Sequence, residues 1–173
     1  INLCGTVFSV RAVLPVMKKQ GSGCIITLAG GGVGGSNIKP NFSSYITGKF
    51  GVCGFTEALS RELEGTGIRI NALSPGAVNT RLLDQALAAG QKAGKEFLKA
   101  SRKQKATGGT PPKAAAKLAL FLAGDSAKKI SGRMISAVWD KQEQLRRADW
   151  NANKSLYTLR RIDEELYKSR KGR

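Results

Sequence analysis

Two short, largely apolar runs joined by a long helical pattern constrain the fold of this chain more than any other feature. The runs cover residues 24–29 and 68–73, and glycines stand close to their borders. The first is continuous, which is typical of a strand buried on both faces of a sheet, and the second is expected to be the next buried strand. Between them, residues 43–64 repeat apolar side chains at helical spacing and end before two glycines. The chain is therefore expected to fold as an α/β protein.

A tyrosine and a lysine, Tyr45 and Lys49, stand four residues apart near the start of that helical pattern. On a helix this spacing places both side chains on one face, one turn apart. A free phenol has a pKa near about 10, so it exchanges protons poorly at neutral pH unless a neighbouring cation favours its ionised form. With Lys49 as that cation, the phenol suits the proton transfer that accompanies hydride transfer at a carbonyl. The other interpretation is a half-buried ring beside a solvated charge.

Further motifs accompany this pair in a defined order along the chain. They are Asn2, the glycine-rich stretch 30–35, the pair Tyr45 and Lys49, then Pro75, Gly76, Val78 and Thr80, and finally Thr110 with Pro111 and Ser131 with Gly132. Over residues 1–140, this order resembles the short-chain dehydrogenase/reductase family. The resemblance implies a doubly wound, Rossmann-like parallel sheet that is only partial here. We expect its N-terminal strands and glycine-rich cofactor motif to precede Ile1 in a longer protein.

The resemblance also implies a role for each matching residue. Tyr45 would exchange the proton with the substrate oxygen, and Lys49 would lower the pKa of the phenol and hold the ribose hydroxyls of the cofactor. Asn2 would hold a relay water through its backbone carbonyl, although a helix cap is the other interpretation of this residue. The implied activity is that of an NAD(P)-dependent oxidoreductase interconverting an alcohol and a carbonyl of a small molecule.

The segment after the second apolar run is implied to bind the cofactor, either NAD or NADP. Pro75, Gly76, Val78 and Thr80 would line the nicotinamide and its diphosphate, together with Tyr45 and Lys49. Ligands of open α/β sheets bind at the carboxyl ends of the strands, where this segment is expected to lie. A plain Pro-Gly turn with a helix cap at residue 79 or 80 is the competing interpretation.

One family feature is missing after the first apolar run. Members usually carry a serine there, whose hydroxyl orients the substrate carbonyl, whereas the candidate positions in this chain are Ala29, Gly30, Gly31 and Gly32. Thr27 is expected to point along the strand, and Ser36 reaches the site only if the loop folds back. Loss of one such donor typically costs about 10²–10³ in rate. Either a backbone N–H of the glycine stretch replaces the serine, or the chain is a weakened or inactive relative.

The stretch 30–35 also contains the pattern G-x-G-x-x-G directly after an expected strand. In a dinucleotide-binding fingerprint, a helix must begin immediately after the third glycine. Here turn residues and Pro40 follow, and they postpone the helix to about residue 43. We therefore interpret this stretch as an extended active-site loop.

Composition excludes several classes of function. The chain has no histidine, which excludes His-based triads, and its three cysteines lack metal-like spacing, so no metal site is expected. The net charge of +17 invites a nucleic-acid interpretation. However, residues 1–90 hold eight basic and four acidic residues, whereas residues 91–130 hold ten and two, so most of the excess lies outside the motif-bearing region. We expect a solvated basic surface on a soluble cytoplasmic protein that binds neither nucleic acid nor membranes.

The remaining elements follow the same pattern. Residues 81–107 are expected to form a helical substrate-binding lid, Thr110 is expected to cap a helix through residue 122, and Ser43 or Ser44 is expected to cap the long helix. Residues 134–138 are the last expected strand. Residues 1–140 would then form the Rossmann-like domain and residues 141–173 a basic, helical extension that docks through Tyr157, Leu159 and Ile162.

The sequence is therefore compatible with two functions from different classes. The first is the oxidoreductase, which by resemblance is a homodimer or homotetramer. The second is a non-catalytic relative or fragment that serves as an oligomerisation or polyanion-binding module.

Overall fold

The computed structural model describes residues 1–35 and 38–161, and it contains one sheet of three parallel strands within them. The strands are β1 (Gly23–Leu28), β2 (Ile68–Ser74) and β3 (Met134–Ser136), paired in that order. The helices are α1 (Asn2–Gln20), α2 (Ser43–Glu62), α3 (Arg81–Ala88), α4 (Lys95–Thr107), α5 (Pro112–Ala123) and α6 (Gln142–Arg147). The predicted α/β fold with a parallel sheet is confirmed.

The register of the sheet brings the three carboxyl ends to one edge. Leu28 lies opposite Leu73 in the β1–β2 pair, and Ser74 lies opposite Ser136 in the β2–β3 pair. Loops that leave these ends therefore emerge side by side. This edge is where open α/β sheets bind their ligands.

Helices cover both faces of the central strand. One cluster joins Ile70 of β2 to residues of α1 and α2, including Val10 and Leu59. A second cluster joins Leu73 to Leu122 of α5 on the other face. The buried hydrophobic side chains of β2 are at most 5% exposed, as expected for a strand buried on both faces.

Strand β1 differs from β2, because it forms one edge of the sheet in the part of the chain that the structure describes. Leu28 is 55% exposed there, and Phe8, Val13 and Val16 of α1 are exposed as well. The expectation that this first run is buried on both faces is confirmed for its middle, where Ile25 and Ile26 pack against the clusters on opposite faces, and is wrong for Leu28 at its end. Exposed apolar surface of this kind is typical of surfaces that associate with another surface.

The expected helix caps are also wrong. Helix α2 begins at Ser43 with Phe42 at the N-cap position, and neither Ser43 nor Ser44 makes a side-chain capping bond. Helix α5 begins at Pro112 after Pro111, so Thr110 is not its cap. Proline at the start of a helix sacrifices no hydrogen bond, because the first N–H groups lack helical partners. The predicted delay of α2 to residue 43 is confirmed.

The segment after β3 packs into the same core. Leu145 of α6 is fully buried, and Trp150 is 8% exposed in the cluster around Leu73. Residues 151–161 form turns rather than the expected helix, yet Tyr157 and Leu159 do pack against core residues. Ile162 and the basic residues 168–173 lie outside the described residues.

Across residues 1–35 and 38–161, no helix combines the length and the apolar character needed to span a bilayer.

Candidate active site

Tyr45 and Lys49 converge on the backbone just beyond the end of β1. A Cβ atom added at Gly30 would lie 2.6 Å from the phenol oxygen of Tyr45 and 2.6 Å from Cγ of Lys49. Real Cβ atoms do not tolerate such distances, so only glycine fits here without displacing the two side chains. Both side chains are half-buried. The two side chains thus lie together at the carboxyl end of β1, where the family resemblance implies them.

The ammonium of Lys49 has a protein partner at this point. Its Nζ donates a hydrogen bond of 2.9 Å to the backbone carbonyl of Leu28, the last residue of β1. Burial lowers the pKa of Lys49, and the neighbouring Cys53 thiol opposes this effect. Burial raises the pKa of the Tyr45 phenol. The lowering of this pKa by Lys49, which the family resemblance implies, works against burial and stays a prediction.

The Pro75-Gly76 corner follows β2 at the same edge of the sheet. Gly76 has a φ of +82°, and an added Cβ would lie 2.5 Å from Val138 and 2.7 Å from the hydroxyl oxygen of Thr110. The N–H of Thr110 donates to the carbonyl of Ala77 at 2.8 Å. Thr110 and Val138 thus pack closely against this corner, and they hold the backbone that would face a ligand.

Val78 and Thr80 continue from that corner into α3. The N–H of Val78 donates to the carbonyl of Gly76 at 3.1 Å, and Val78 forms an antiparallel bridge with Gly109. Thr80 occupies the N-cap position of α3 but makes no side-chain capping bond. Its hydroxyl is therefore not used to cap the helix, in contrast to the competing interpretation of a cap at residue 80.

Asn2 lies beside the helix that carries the tyrosine and the lysine. It is the first residue of α1, and a Cβ added at Gly48 would lie 3.4 Å from its own Cβ. Ile1 holds the N-cap position, so Asn2 is not the helix cap. The carbonyl of Asn2 accepts the hydroxyl of Thr6 at 2.9 Å. The structure thus brings Asn2 next to the site helix, and its role in holding water stays a prediction.

The structure also locates the position of the missing hydroxyl. Gly30 is the candidate position that lies beside the phenol of Tyr45. The N–H of Ala29 donates to the carbonyl of Leu73 at 2.9 Å. Thr27 points into the core, where its hydroxyl lies 2.8 Å from that of Thr56. Thr27 is therefore excluded as the substitute donor, and Ser36 lies outside the described residues.

Sequence reasoning missed the continuation of the site face along α2. Tyr45, Lys49, Cys53 and Glu57 recur every four residues, so each side chain lies about one turn after the one before it. Cys53 is buried, its thiol donates to the sulfur of Met134 at 3.7 Å, and burial raises its pKa to about 11. Glu57 pairs with Arg160 through both carboxylate oxygens. The four-residue repeat was visible in the sequence, but its partners after residue 130 were not.

This arrangement defines a Rossmann-like α/β domain with a Tyr-x-x-x-Lys helix at the ligand edge. The sequence model of the family described as enoyl-(acyl carrier protein) reductase matches residues 1–137. The chain belongs to this family, within the short-chain dehydrogenases/reductases. The family is thus confirmed for most of the chain, and the segment after residue 137 lies outside the match.

Individual relatives agree with this assignment. D-beta-hydroxybutyrate dehydrogenase of Rhizobium meliloti is 33% identical over 145 residues, which is 79% of this chain and 54% of that protein. An NAD(+)-dependent 2-dehydro-3-deoxy-L-rhamnonate dehydrogenase of a Sphingomonas species is 44% identical over 85 residues, or 49% of this chain and 33% of that protein. Among solved structures, a variant of actinorhodin polyketide ketoreductase with NADPH has a TM-score of 0.65 at 26% identity.

These matches cover a larger share of this chain than of the proteins that it matches. The ketoreductase match covers 79% of this chain and 54% of the solved chain. The chain thus spans about half the length of the relatives that it matches over most of its own length.

Proposed function

We propose that this protein is an NAD(P)-dependent oxidoreductase that interconverts an alcohol and a carbonyl. One observation carries the proposal: the phenol of Tyr45 and the side chain of Lys49 meet at the backbone of Gly30, at the carboxyl end of β1. A half-buried phenol at this edge can exchange a proton with a substrate oxygen. The family membership and the dehydrogenases and reductases among the relatives support the same reaction class.

Tyr45 would donate its proton to the carbonyl oxygen during reduction and recover it from the alcohol during oxidation. Lys49 acts beside it in two ways. Its ammonium has three N–H donors, and the Leu28 carbonyl uses one of them, so the others are available for ribose hydroxyls. Its positive charge also favours the ionised phenol and opposes the effect of burial on the pKa of Tyr45.

The residues at the edge of the sheet fit a nicotinamide cofactor, either NAD or NADP. The braced corner at Pro75 and Gly76, the main chain of Val78 and the uncapped hydroxyl of Thr80 would hold it. When bound, the cofactor supplies or accepts the hydride. The printed names of one relative and one solved structure, which include NAD(+) and NADPH, support this choice.

The glycine turn would supply the hydrogen-bond donor that the missing serine supplies elsewhere in the family. Gly30 lies at the phenol, and its carbonyl accepts the N–H of Val33 at 3.4 Å in a tight turn. The backbone N–H groups of Gly31 and Gly32 have no recorded partner among the described residues. Backbone N–H groups of this kind can stabilise the developing charge on a substrate oxygen.

Asn2 would hold a relay water close to Lys49.

The protein is also proposed to assemble as a homodimer or homotetramer through α1 and α2. The exposed side chains of Phe8, Val13 and Val16 on α1 support this proposal, because apolar patches of this kind usually become buried in an interface.

A titration of the full-length protein with NADH and NADPH tests the proposed function. We expect a saturable change in nicotinamide fluorescence that weakens in Lys49→Met, followed by turnover of a carbonyl substrate. The rival is a non-catalytic, polyanion-binding relative, and the absence of a hydroxyl at Gly30 is the observation in its favour. No cofactor binding, together with polyanion binding that falls steeply with salt, would support the rival.

A further inference from the structure

We propose that the segment 156–160 positions the glycine turn of the active site, with Leu159 and Arg160 as its positioning residues. The segment follows the part of the chain that the family model matches, which ends at residue 137. The inference rests on the proposed function, because it assigns these residues a role in the reaction at Tyr45. Its structural part can be tested without any turnover.

Leu159 packs directly beneath the turn. It lies with Val33 and Met134 against a small buried cluster formed by Ala29, Cys53 and Ala72. A Cβ added at Gly34 would collide with the methyl group of Met134 and would lie 3.9 Å from a methyl group of Leu159. The far end of the turn therefore rests on Met134 and Leu159. Removal of the Leu159 side chain would leave that end without part of its support.

Arg160 fixes the segment to the helix that carries the catalytic pair. Its guanidinium contacts both carboxylate oxygens of Glu57, one of them at 3.0 Å. Glu57 lies two turns after Lys49 on the same face of α2. The side chains of Arg160 and Glu57 are 38% and 22% exposed, and a two-point contact of this kind sets orientation as well as distance.

Arg133 and Met134 anchor the backbone that leads to Leu159. The guanidinium of Arg133, a residue only 6% exposed, donates to the carbonyls of Lys154 and Leu156 at 2.7 Å each. The N–H of Met134 donates to the carbonyl of Tyr157 at 2.8 Å. The segment thus runs along the free side of β3 and delivers Leu159 to a fixed position.

The turn connects this support to the catalytic pair. Val33 touches the Leu159 cluster and donates its N–H to the carbonyl of Gly30. Gly30 in turn contacts the phenol of Tyr45 and the stem of Lys49. A shift of the turn therefore moves the backbone donors relative to the phenol. Misplacement of reacting groups by about 1 Å can cost on the order of 10²-fold in rate.

The test compares Leu159→Ala with Leu156→Ala in the full-length protein. Both leucines belong to the same segment and are partly buried, but Leu156 packs on the cluster around Leu73 rather than under the turn. We expect Leu159→Ala to lower kcat about tenfold or more, with a smaller change in KM, and to speed amide exchange at residues 30–34. Leu156→Ala should leave kcat and the amide exchange rate within about twofold of wild type. Leu159→Met should keep most of the wild-type kcat, because it fills a similar volume.

Arg160→Gln tests the ion pair without opening the core. The variant should speed amide exchange at residues 30–34. The double variant Glu57→Arg with Arg160→Glu restores the ion pair with its charges swapped, so it should slow amide exchange again. Equal exchange in wild type, Leu159→Ala and Arg160→Gln would overturn the positioning role. A wild-type protein that binds no nicotinamide would overturn the proposed function instead, and the exchange experiment would still decide the structural part.

Discussion

Helix α2 carries two pairs of side chains in a four-residue repeat, and protein contacts hold the two pairs very differently. Tyr45 and Lys49 are half-buried, and within residues 1–35 and 38–161 their side chains make one hydrogen bond, from Lys49 to the backbone carbonyl of Leu28. Cys53 and Glu57, two turns later, contact Met134 and Arg160 through their side chains. The first pair is the one proposed to meet a ligand, whereas Cys53 is buried against Met134 of β3 and Leu159, and Glu57 is paired with Arg160.

This difference in protein contacts indicates that the two pairs on α2 have different roles. Groups that must change partners during a reaction cannot also be fixed by many protein contacts, so the first pair depends on support from elsewhere. In the proposal above, the second pair supplies this support, because Cys53 contacts Met134 of β3 and Glu57 fastens α2 to Arg160, which lies outside the family match. Substitutions in the first pair should therefore change activity, and substitutions around the second should change stability or positioning.

The largest effect outside Tyr45 is expected for Lys49→Met. The variant loses the charge and the donors that would hold ribose hydroxyls, so kcat/KM should fall on the order of 10²-fold or more. The free energy of unfolding should change little, because among the described residues this amine hydrogen-bonds to one backbone carbonyl, that of Leu28. Steady-state kinetics and denaturant unfolding check both statements. Full activity would remove the distinction between the two pairs.

Arg133→Met is expected to give the largest loss of stability. The variant removes hydrogen bonds to the carbonyls of Trp150, Lys154 and Leu156 and leaves them without these donors. We expect the free energy of unfolding to fall by about 3–5 kcal/mol. Arg146→Met is the matched control, because its guanidinium lies over the ring of Phe121 at the surface and should cost only about 0.5–1 kcal/mol. Equal losses would show that the segment is not anchored by Arg133.

Gly30→Ala should have an intermediate effect on activity. The added methyl group would push against Tyr45 and Lys49, so we expect kcat to fall about tenfold while the fold is kept. Gly31→Ala is the control, since a Cβ there meets no atom within 4 Å. If both variants behave alike, the close approach at Gly30 does not matter for the reaction.

The pH dependence should show the smallest effect. Burial raises the pKa of Tyr45, so the phenol stays protonated at neutral pH and can donate during carbonyl reduction. Reduction should decline only as pH rises through this pKa, whereas alcohol oxidation should increase with pH. If Lys49 opposes burial as proposed, the inflection in Lys49→Met should move to higher pH. An inflection that stays in place would limit Lys49 to binding the cofactor.

Local patterns in the sequence were enough to predict the main elements. The apolar runs lie in β1 and β2, and α2 begins at residue 43 because Pro40 and the turn residues before it disfavour a helix. The four-residue spacing also placed Tyr45 and Lys49 on one face of α2, whereas their position at the edge of the sheet was implied only by the family resemblance. These predictions depend on periodicity and backbone sterics, which act over a few residues.

Contacts between distant parts of the chain could not be predicted in the same way. Arg160 and Glu57 are 103 residues apart in sequence, and no local pattern pairs them. The exposure of Leu28 depends on what lies beside β1, and the caps of α2 and α5 depend on loop geometry. The close approach of Gly30 to Tyr45 likewise appears only when α2 has packed on the sheet.

The replacement Tyr45→Phe tests the central claim most directly. The measurement is single-turnover reduction of a carbonyl substrate by the full-length protein with bound nicotinamide. The ring is kept and only the hydroxyl is lost, so cofactor affinity should stay within a few-fold of wild type. The rate should fall about 10²–10⁴-fold, as expected when a general acid is removed. A rate within twofold of wild type would contradict the assignment of proton transfer to Tyr45.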